Sequence, residues 1–252
     1  MKTAVLITAR MGSSRLEKKH LIRIAAKPII QHLIDRINAE FGSEVERGDV
    51  QVIIATGNRT DNRELEENVR GCAVYYGDDR NIPHRHAETA AHHELKAIVA
   101  VDGDDVLCSR QAMRHVYEKL ANGSAYVKTE GLPLGLNAFG YSVRFLNESL
   151  RGDSHGTLET GWGRIFDERS LESVKMSGHD LPHLRFTLDY PEDFLFFERI
   201  IRELGDRYRT ISDQELVAFV LEKGIDRLNA AIAEDYWRNF NKGVRGEDSS
   251  NG

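Results

Sequence analysis

The chain has 252 residues, 40% of them hydrophobic and 29% charged, with a net charge of −6. That acidic balance argues against a general nucleic-acid surface, and no apolar run reaches the length of a membrane span. Two cysteines, Cys72 and Cys108, make no disulfide framework, and the opening apolar stretch is too short for a secretory signal, so a reduced cytoplasmic protein is expected.

In chain order, Ala4–Ile7 reads as a buried strand. The stretch Pro28–Phe41 reads as an amphipathic helix with Ile29, Ile30, Leu33, Ile34, Ile37 and Phe41 on one stripe. Val50–Ala55 is a second strand, Asp61–Val69 a short polar helix and Ala73–Tyr76 a third strand. A helix is predicted over Arg85–Leu95, a fourth strand over Ala97–Val101, and a helix over Gln111–Leu120. This alternation predicts an α/β layered fold with a mainly parallel sheet. From Ala125 to about Met176 the pattern is irregular, with short strand-like pieces and glycine breaks. A strand at Leu184–Leu188 follows, then helices at Pro191–Leu204, Asp213–Glu222 and Asp226–Phe240. Residues 1–240 are read as one domain, with 125–180 facing an acceptor or a dimer partner, 212–240 as C-terminal helices, and a small, polar tail at 241–252 expected to be disordered.

The first strand runs straight into TARMGSSR, followed by Lys18 and Lys19. Gly12, Ser13 and Ser14 suit an ordinary solvated turn. They also suit an anion site, because such a loop exposes backbone N–H groups and the forks of Arg10 and Arg15 match phosphate geometry. No Walker loop is present. Acidic clusters follow two strands: Asp102-Gly103-Asp104-Asp105 after AIVAV, and Asp189, Glu192 and Asp193 after LRFTL. The carboxyl ends of parallel strands are where ligands bind in such folds, and hard cations such as Mg²⁺ take carboxylate oxygens together with substrate phosphates. Asp105 and Asp193 fit surface charges equally well, and Asp189 before Tyr190-Pro191 fits a helix cap. If Asp104 and Asp189 face the basic loop, Arg10, Arg15 and Lys19 would hold a polyphosphate and the two aspartates its Mg²⁺.

The opening MKTAVLITARMGSSRLEKKHLIRIAAKPIIQHLIDRI resembles the cytidylyltransferases that activate acidic sugars, whose usual form is close to ARxGSxRLPGKxLxxxxGKPLIxHxI. GDDRNIPHRHAETAA, RFTLDYPEDF and NAAIAEDYWRNF extend the resemblance toward the branch called spore coat polysaccharide biosynthesis protein F. The resemblance implies a Rossmann-like, GT-A-like three-layer nucleotidyltransferase with an irregular middle insertion and C-terminal helices. It implies transfer of CMP from CTP, with Mg²⁺ and release of pyrophosphate, to a small anionic acceptor in surface polysaccharide precursor synthesis, and it implies a cytoplasmic homodimer. Carried over by position, Arg10, Arg15 and Lys19 would contact phosphates and Asp104 and Asp189 would ligate the metal. Backbone groups of Leu6, Thr8 and Ala9 and around Thr56 would contact the base, Met11, Gly12 and Asp102 would lie along the nucleotide, and Arg85 would lie near the nucleotide or acceptor. Phosphoryl and nucleotidyl transfer rests on positioning and charge neutralisation, so no nucleophilic side chain is required.

The sequence departs from that pattern in places. Glu17-Lys18 stands where the family has Pro-Gly, Ala26 replaces a glycine, and Asn81-Ile82-Pro83-His84-Arg85-His86 loses two carboxylates of the branch motif. Asn137 stands where an aspartate is frequent. Acceptor-facing positions therefore drift, and Asn137, Glu159, Trp162 and Arg164 are the acceptor-side candidates. Trp162 and Arg164 fit equally a packed aromatic beside a surface arginine. Tyr236-Trp237 reads as a helix-docking pair. His84, His86, His92 and His93 read chiefly as a solvated helix face, since neighbouring helix positions diverge and do not suit zinc. Two other functions use similar residues: a metal-dependent glycosyltransferase, which Asp102-Gly103-Asp104 would suit, and a non-catalytic nucleotide-binding relative.

Overall fold

The structure, a computed structural model, describes residues 1–13, 15–151, 156–176, 181 and 183–250. Ser14 of the basic loop therefore lies outside the described residues, as do parts of the 125–180 section and the end of the tail.

Three strands form the centre: β1 (Thr3–Thr8), β4 (Val50–Thr56) and β6 (Ala97–Asp102), after two short strands β2 (Arg23–Ile24) and β3 (Lys27–Pro28) that make a separate antiparallel pair. Their near-continuous apolar sequences suit strands covered on both faces. β1 pairs in parallel with β4 and β6, so Thr8 lies level with Ala55 and Asp102. β5 (Ala73–Tyr76) adds in parallel beyond β4. On the other side come β7 (Tyr126–Glu130), β8 (Phe139–Ser142) and β9 (Leu171–Lys175), giving the order β5-β4-β1-β6-β8-β7-β9 in which β8 alone runs backwards. The expected α/β fold with a mainly parallel central sheet is the one observed.

Helices α1 (Ile29–Glu46), α2 (Arg59–Asn68), α3 (Ile82–His92) and α4 (Arg110–Ala121) connect the parallel strands, and α1 buries the stripe of Ile29, Ile30, Leu33, Ile34, Ile37 and Phe41. Asn58, Asn81 and Ser109 cap the N-termini of the other three through their side chains. α1 also carries the fully buried Arg36, which donates to the carbonyls of Cys108, Tyr208 and Ile211 and thereby ties the sheet layer to the C-terminal helices.

Three expectations are corrected in the second half. Leu184–Leu188 is not a strand: Phe186 donates to the Leu134 carbonyl and Leu188 to that of Asp104, so its backbone is used by two loops rather than by a neighbouring strand. The short strand-like pieces expected in the irregular middle are present as β7 and β8, joined there by the short helix α5 (Val143–Leu150), capped by Ser142, and the edge strand β9. After α6 (Pro191–Leu204) and α7 (Asp213–Glu222), the last helix α8 spans Ala233–Ser250, beginning later than expected and continuing through the supposed disordered tail. Glycines 243 and 246 make that helix intrinsically weak, and it is held by contacts with residues 159–164. Among the described residues no helix is long and apolar enough to cross a membrane.

Two departures from the family motif prove structurally specific. Lys18 and Ala26, which stand where the motif carries glycine, both have left-handed backbone, with φ of 48° and 67°. The loop geometry has been kept while the residue suited to it has been lost. A side chain in that region costs roughly 1–2 kcal/mol, partly offset by the greater freedom glycine has when unfolded. Ala26→Gly is therefore expected to stabilise the protein by about 0.5–1 kcal/mol, a rise in Tm of roughly 2 °C in thermal melts. A lowered Tm would contradict this account of the turn.

Candidate active site

A cleft of about 630 Å³ opens at the carboxyl ends of β1 and β6. Its first wall is the loop after β1, with Thr8, Ala9, Arg10, Gly12, Arg15 and Lys19. The loop is pinned where Met11 donates its backbone N–H to Asn62 Oδ1, at 2.9 Å. Lys19, 7% exposed, lies at the centre: its Nζ donates to Asp104 Oδ2 at 2.6 Å and to Asp189 Oδ1 at 3.2 Å. Arg15 donates to the same Asp189 oxygen at 2.5 Å. Arg15, Lys19 and the two candidate metal carboxylates, up to 174 residues apart, thus form one cluster.

His20 was not singled out in the sequence, yet it completes this cluster. Its Nε2 is 2.9 Å from Asp104 Oδ1 and its Nδ1 3.0 Å from the Arg10 carbonyl, so it links loop to carboxylate. Gly103 makes room for it: a Cβ there would lie 2.9 Å from that of Ala9 and 3.0 Å from both His20 Nε2 and the Thr8 carbonyl. The acidic turn splits electrostatically. Despite partial burial, Lys19 and His20 hold the Asp104 carboxyl well below its usual range. Burial and the neighbouring Asp104 charge instead push Asp102 up to about 7, and Asp105 well above its usual value.

Asp189 does not cap α6, and Asp193 is not a surface charge. The fully buried Asp193 accepts the backbone N–H groups of Asp189 and Tyr190 at 2.9 and 3.0 Å. It also takes a two-pronged contact from Arg185 at 2.9 and 2.8 Å and an N–H of Asn229 at 2.9 Å. With the capping work done by Asp193, the Asp189 carboxylate is left to face Lys19 and Arg15.

The opposite wall carries Glu159, Trp162 and Arg164, all of which line the cleft. Arg10 donates to Glu159 Oε1 at 2.5 Å; burial pushes the Glu159 carboxyl up, and the Arg10 charge holds it back. Trp162 is both packed, against His86 and Phe139, and part of the lining. Arg164 reaches Glu247 of α8 at 3.2 Å. Tyr236, expected only to dock the last helix, lines the cleft and stacks on the Arg185 guanidinium, whose carbon is 4.4 Å from the ring centre. Asn239, Phe240 and Gly243 of α8 and Tyr126 and Lys128 of β7 complete a lining that sequence reasoning had not assembled.

Leu6, Met11 and Thr56 bury their side chains, so at Leu6 and Thr56 only the backbone groups expected to contact the base are left to face a ligand. Asn137 turns away from the cleft and donates to the Leu132 carbonyl at 2.8 Å, tethering its own loop. Arg85 does line the cleft, held by the carbonyls of Asp78 and Asp79 at 2.6 and 3.1 Å. Among the histidines expected on a solvated face, His86 is fully buried between Thr8 Oγ1 and the Tyr141 hydroxyl. Among the described residues no His, Cys, Asp and Glu cluster has three ligands for a metal.

With this geometry in view, comparison with known proteins is decisive. Residues 4–154, more than half the chain, match the cytidylyltransferase family. The chain belongs to that family. That membership agrees with the resemblance carried by the opening motif. An uncharacterized protein of Methanocaldococcus jannaschii is 26% identical over 93% of this chain and 88% of its own. The 3-deoxy-manno-octulosonate cytidylyltransferase of Aeromonas hydrophila is 29% identical over 53% of each chain. This chain therefore spans about half the length of the curated cytidylyltransferases it matches. In fold it is similar to a cytidylyltransferase structure from Leptospira borgpetersenii, with a TM-score of 0.76 at 20% identity over 91% of this chain and 98% of that one. It is also similar to a CMP:2-keto-3-deoxy-manno-octonic acid synthetase complexed with CTP, with a TM-score of 0.59 at 13% identity over 81% and 99% of the two chains.

His86 gives the site wall a defined pH response. Burial, with Arg85 adding, lowers it from 6.5 to about 3. Between these values the unfolded chain binds the proton and the folded one does not, so stability falls as pH drops below 6.5. From pH 6.5 to 5 this residue should remove roughly 1.5 kcal/mol. In thermal melts His86→Gln should lose less stability than the parent over that interval; parallel losses would contradict the buried neutral imidazole.

Proposed function

We propose that this family member transfers CMP from CTP to a hydroxyl of a small anionic acceptor, an acidic sugar or a relative of one, with release of pyrophosphate. The observation that carries the reading is the convergence of Arg15 and Lys19 on Asp104 and Asp189 within one cleft that Arg10 also lines. Arg10, Arg15 and Lys19 would hold the triphosphate and neutralise the charge that spreads over it as the α-phosphorus is attacked. The two carboxylates suit Mg²⁺, because both already reach a single ammonium and a hard ion takes one or two carboxylates together with phosphate oxygens. Asp104 and Asp189 would hold that ion, which when bound would polarise and orient the phosphates. Tyr126, Lys128, Trp162, Arg164, Tyr236 and Phe240 offer the acceptor an aromatic and basic wall. A cytoplasmic homodimer acting in surface polysaccharide precursor synthesis belongs to the same reading; exposed Leu195, Leu221, Leu228 and Trp237 provide apolar surface on the C-terminal elements.

The basic loop weighs against the glycosyltransferase alternative: Arg10, Arg15 and Lys19 line one cleft, and three cations there fit a free triphosphate better than a sugar diphosphate.

The test is a thermal shift with CTP, UTP, GTP and ATP, each with and without Mg²⁺, followed by pyrophosphate release with candidate acceptors. At a hundred times its Kd, a ligand stabilises by about 2.7 kcal/mol, or roughly 5–10 °C in Tm for a chain of this size. The expected result is a Mg²⁺-dependent shift for CTP that Asp104→Asn abolishes, with turnover falling at least ~100-fold in the same variant. Equal shifts with all four nucleotides, or none, would overturn the CTP assignment. CTP binding without turnover on any acceptor would favour the non-catalytic relative.

A further inference from the structure

The phosphate-facing guanidinium of Arg10 is already engaged by an internal carboxylate. Glu159 Oε1 accepts from Arg10 Nη1 at 2.5 Å, and Arg85 supplies a second positive charge nearby. The Glu159 side chain is 20% exposed and that of Arg10 51%, so this contact sits at the cleft wall rather than free in solvent. Its placement is set from outside the family-matched residues 4–154. Glu247 of α8 accepts the backbone N–H groups of Glu159 and Thr160 at 3.2 and 2.8 Å, and Arg164 Nη2 lies 3.2 Å from its other oxygen. Gly243 then lets α8 close onto Thr160, where a Cβ would lie 2.9 Å from Thr160 Oγ1.

We propose that Glu159 is a built-in competitor of the nucleotide: a carboxylate held by α8 against Arg10, which an incoming triphosphate must displace. The proposal rests on the triphosphate reading above and adds a positioning role for a residue that was expected to serve the acceptor. Two charged groups cannot both saturate one guanidinium fork, so part of the triphosphate's attraction to Arg10 is spent in exchange for the lost Glu159 contact. Lys19 and Arg15 are held in a similar way by Asp104 and Asp189, but those carboxylates can turn to a cation shared with the phosphates. Glu159 faces two arginines, and its other charged neighbour, Glu247, is a like charge. Its removal should therefore release binding energy rather than remove it.

The sign of the effect separates this role from a structural or substrate-contacting one. Calorimetric titration with CTP and Mg²⁺ at fixed ionic strength should give a Kd about fivefold lower for Glu159→Gln than for the parent, the effect of one partly exposed ion pair of about 1 kcal/mol. Glu159→Asp should bind CTP close to the parent. Glu247→Gln, which loosens the tether without touching Arg10, should shift the Kd in the same direction as Glu159→Gln by a smaller factor. Raising salt should narrow the difference between Glu159→Gln and the parent. Unchanged or weaker CTP binding in Glu159→Gln, with a Tm near the parent's, would overturn the competitor role and leave the CTP assignment standing. A parent protein that binds no CTP would overturn the assignment and this inference together.

Discussion

The site depends on one buried ammonium. Lys19 sits almost out of water between Asp104, from the turn after β6, and Asp189, from the segment leading into α6. Taking a lysine and two carboxylates out of solvent is costly, and the cost is offset only where opposite charges meet at hydrogen-bond distance. Each of the three groups therefore fixes the others. Arg15 joins through Asp189 and His20 through Asp104, so the basic loop, the end of β6 and the 184–189 segment are one electrostatic unit. That unit also explains why Leu184–Leu188 gives up strand pairing: its direction is set by Asp189 at one end and by the Arg185–Asp193 pair beneath it.

The second half of the chain completes what the first half begins. Residues 4–154 carry the family match and the basic loop after β1. Asp189, its support from Asp193, Arg185 and Asn229, and the walls at 159–164 and on α8 all come later. The family match thus covers the basic loop and Asp104, while Asp189 and the walls at 159–164 and on α8 lie beyond it.

Much of the sheet was legible in the sequence because its signals are local. Continuous apolar runs such as VQVIIA and AIVAV can be satisfied only by strands covered on both faces, and the stripe of α1 has a single helical reading. The pairing of a basic loop with acidic turns was legible too, as residue types appropriate to phosphates and a hard cation following buried strands. What could not be read was which polar side chain meets which. Asp193 looked like a surface charge, because its partners Arg185 and Asn229 are distant in pattern, though not in space. His20 carried no signal of its own in the sequence, and His86 looked like part of a solvated face. The glycine-bearing stretch after Phe240 looked disordered, since its helix is stabilised by Glu159, Thr160 and Arg164 rather than by its own propensity.

The sequence by itself determined the α/β class, the parallel centre, the basic loop and the two aspartates that its cations meet, because each rests on periodicity, residue chemistry or a contiguous motif. Only the tertiary structure decided that Asp193 rather than Asp189 caps α6, that Asn137 stands away from the cleft, that Glu159 engages Arg10, and that the last helix forms a wall of the site. Those outcomes turn on which polar group finds which partner, from eight residues away for Asp193 and Arg185 to 149 for Glu159 and Arg10. Desolvation makes that choice when the layers close, and no local pattern records it.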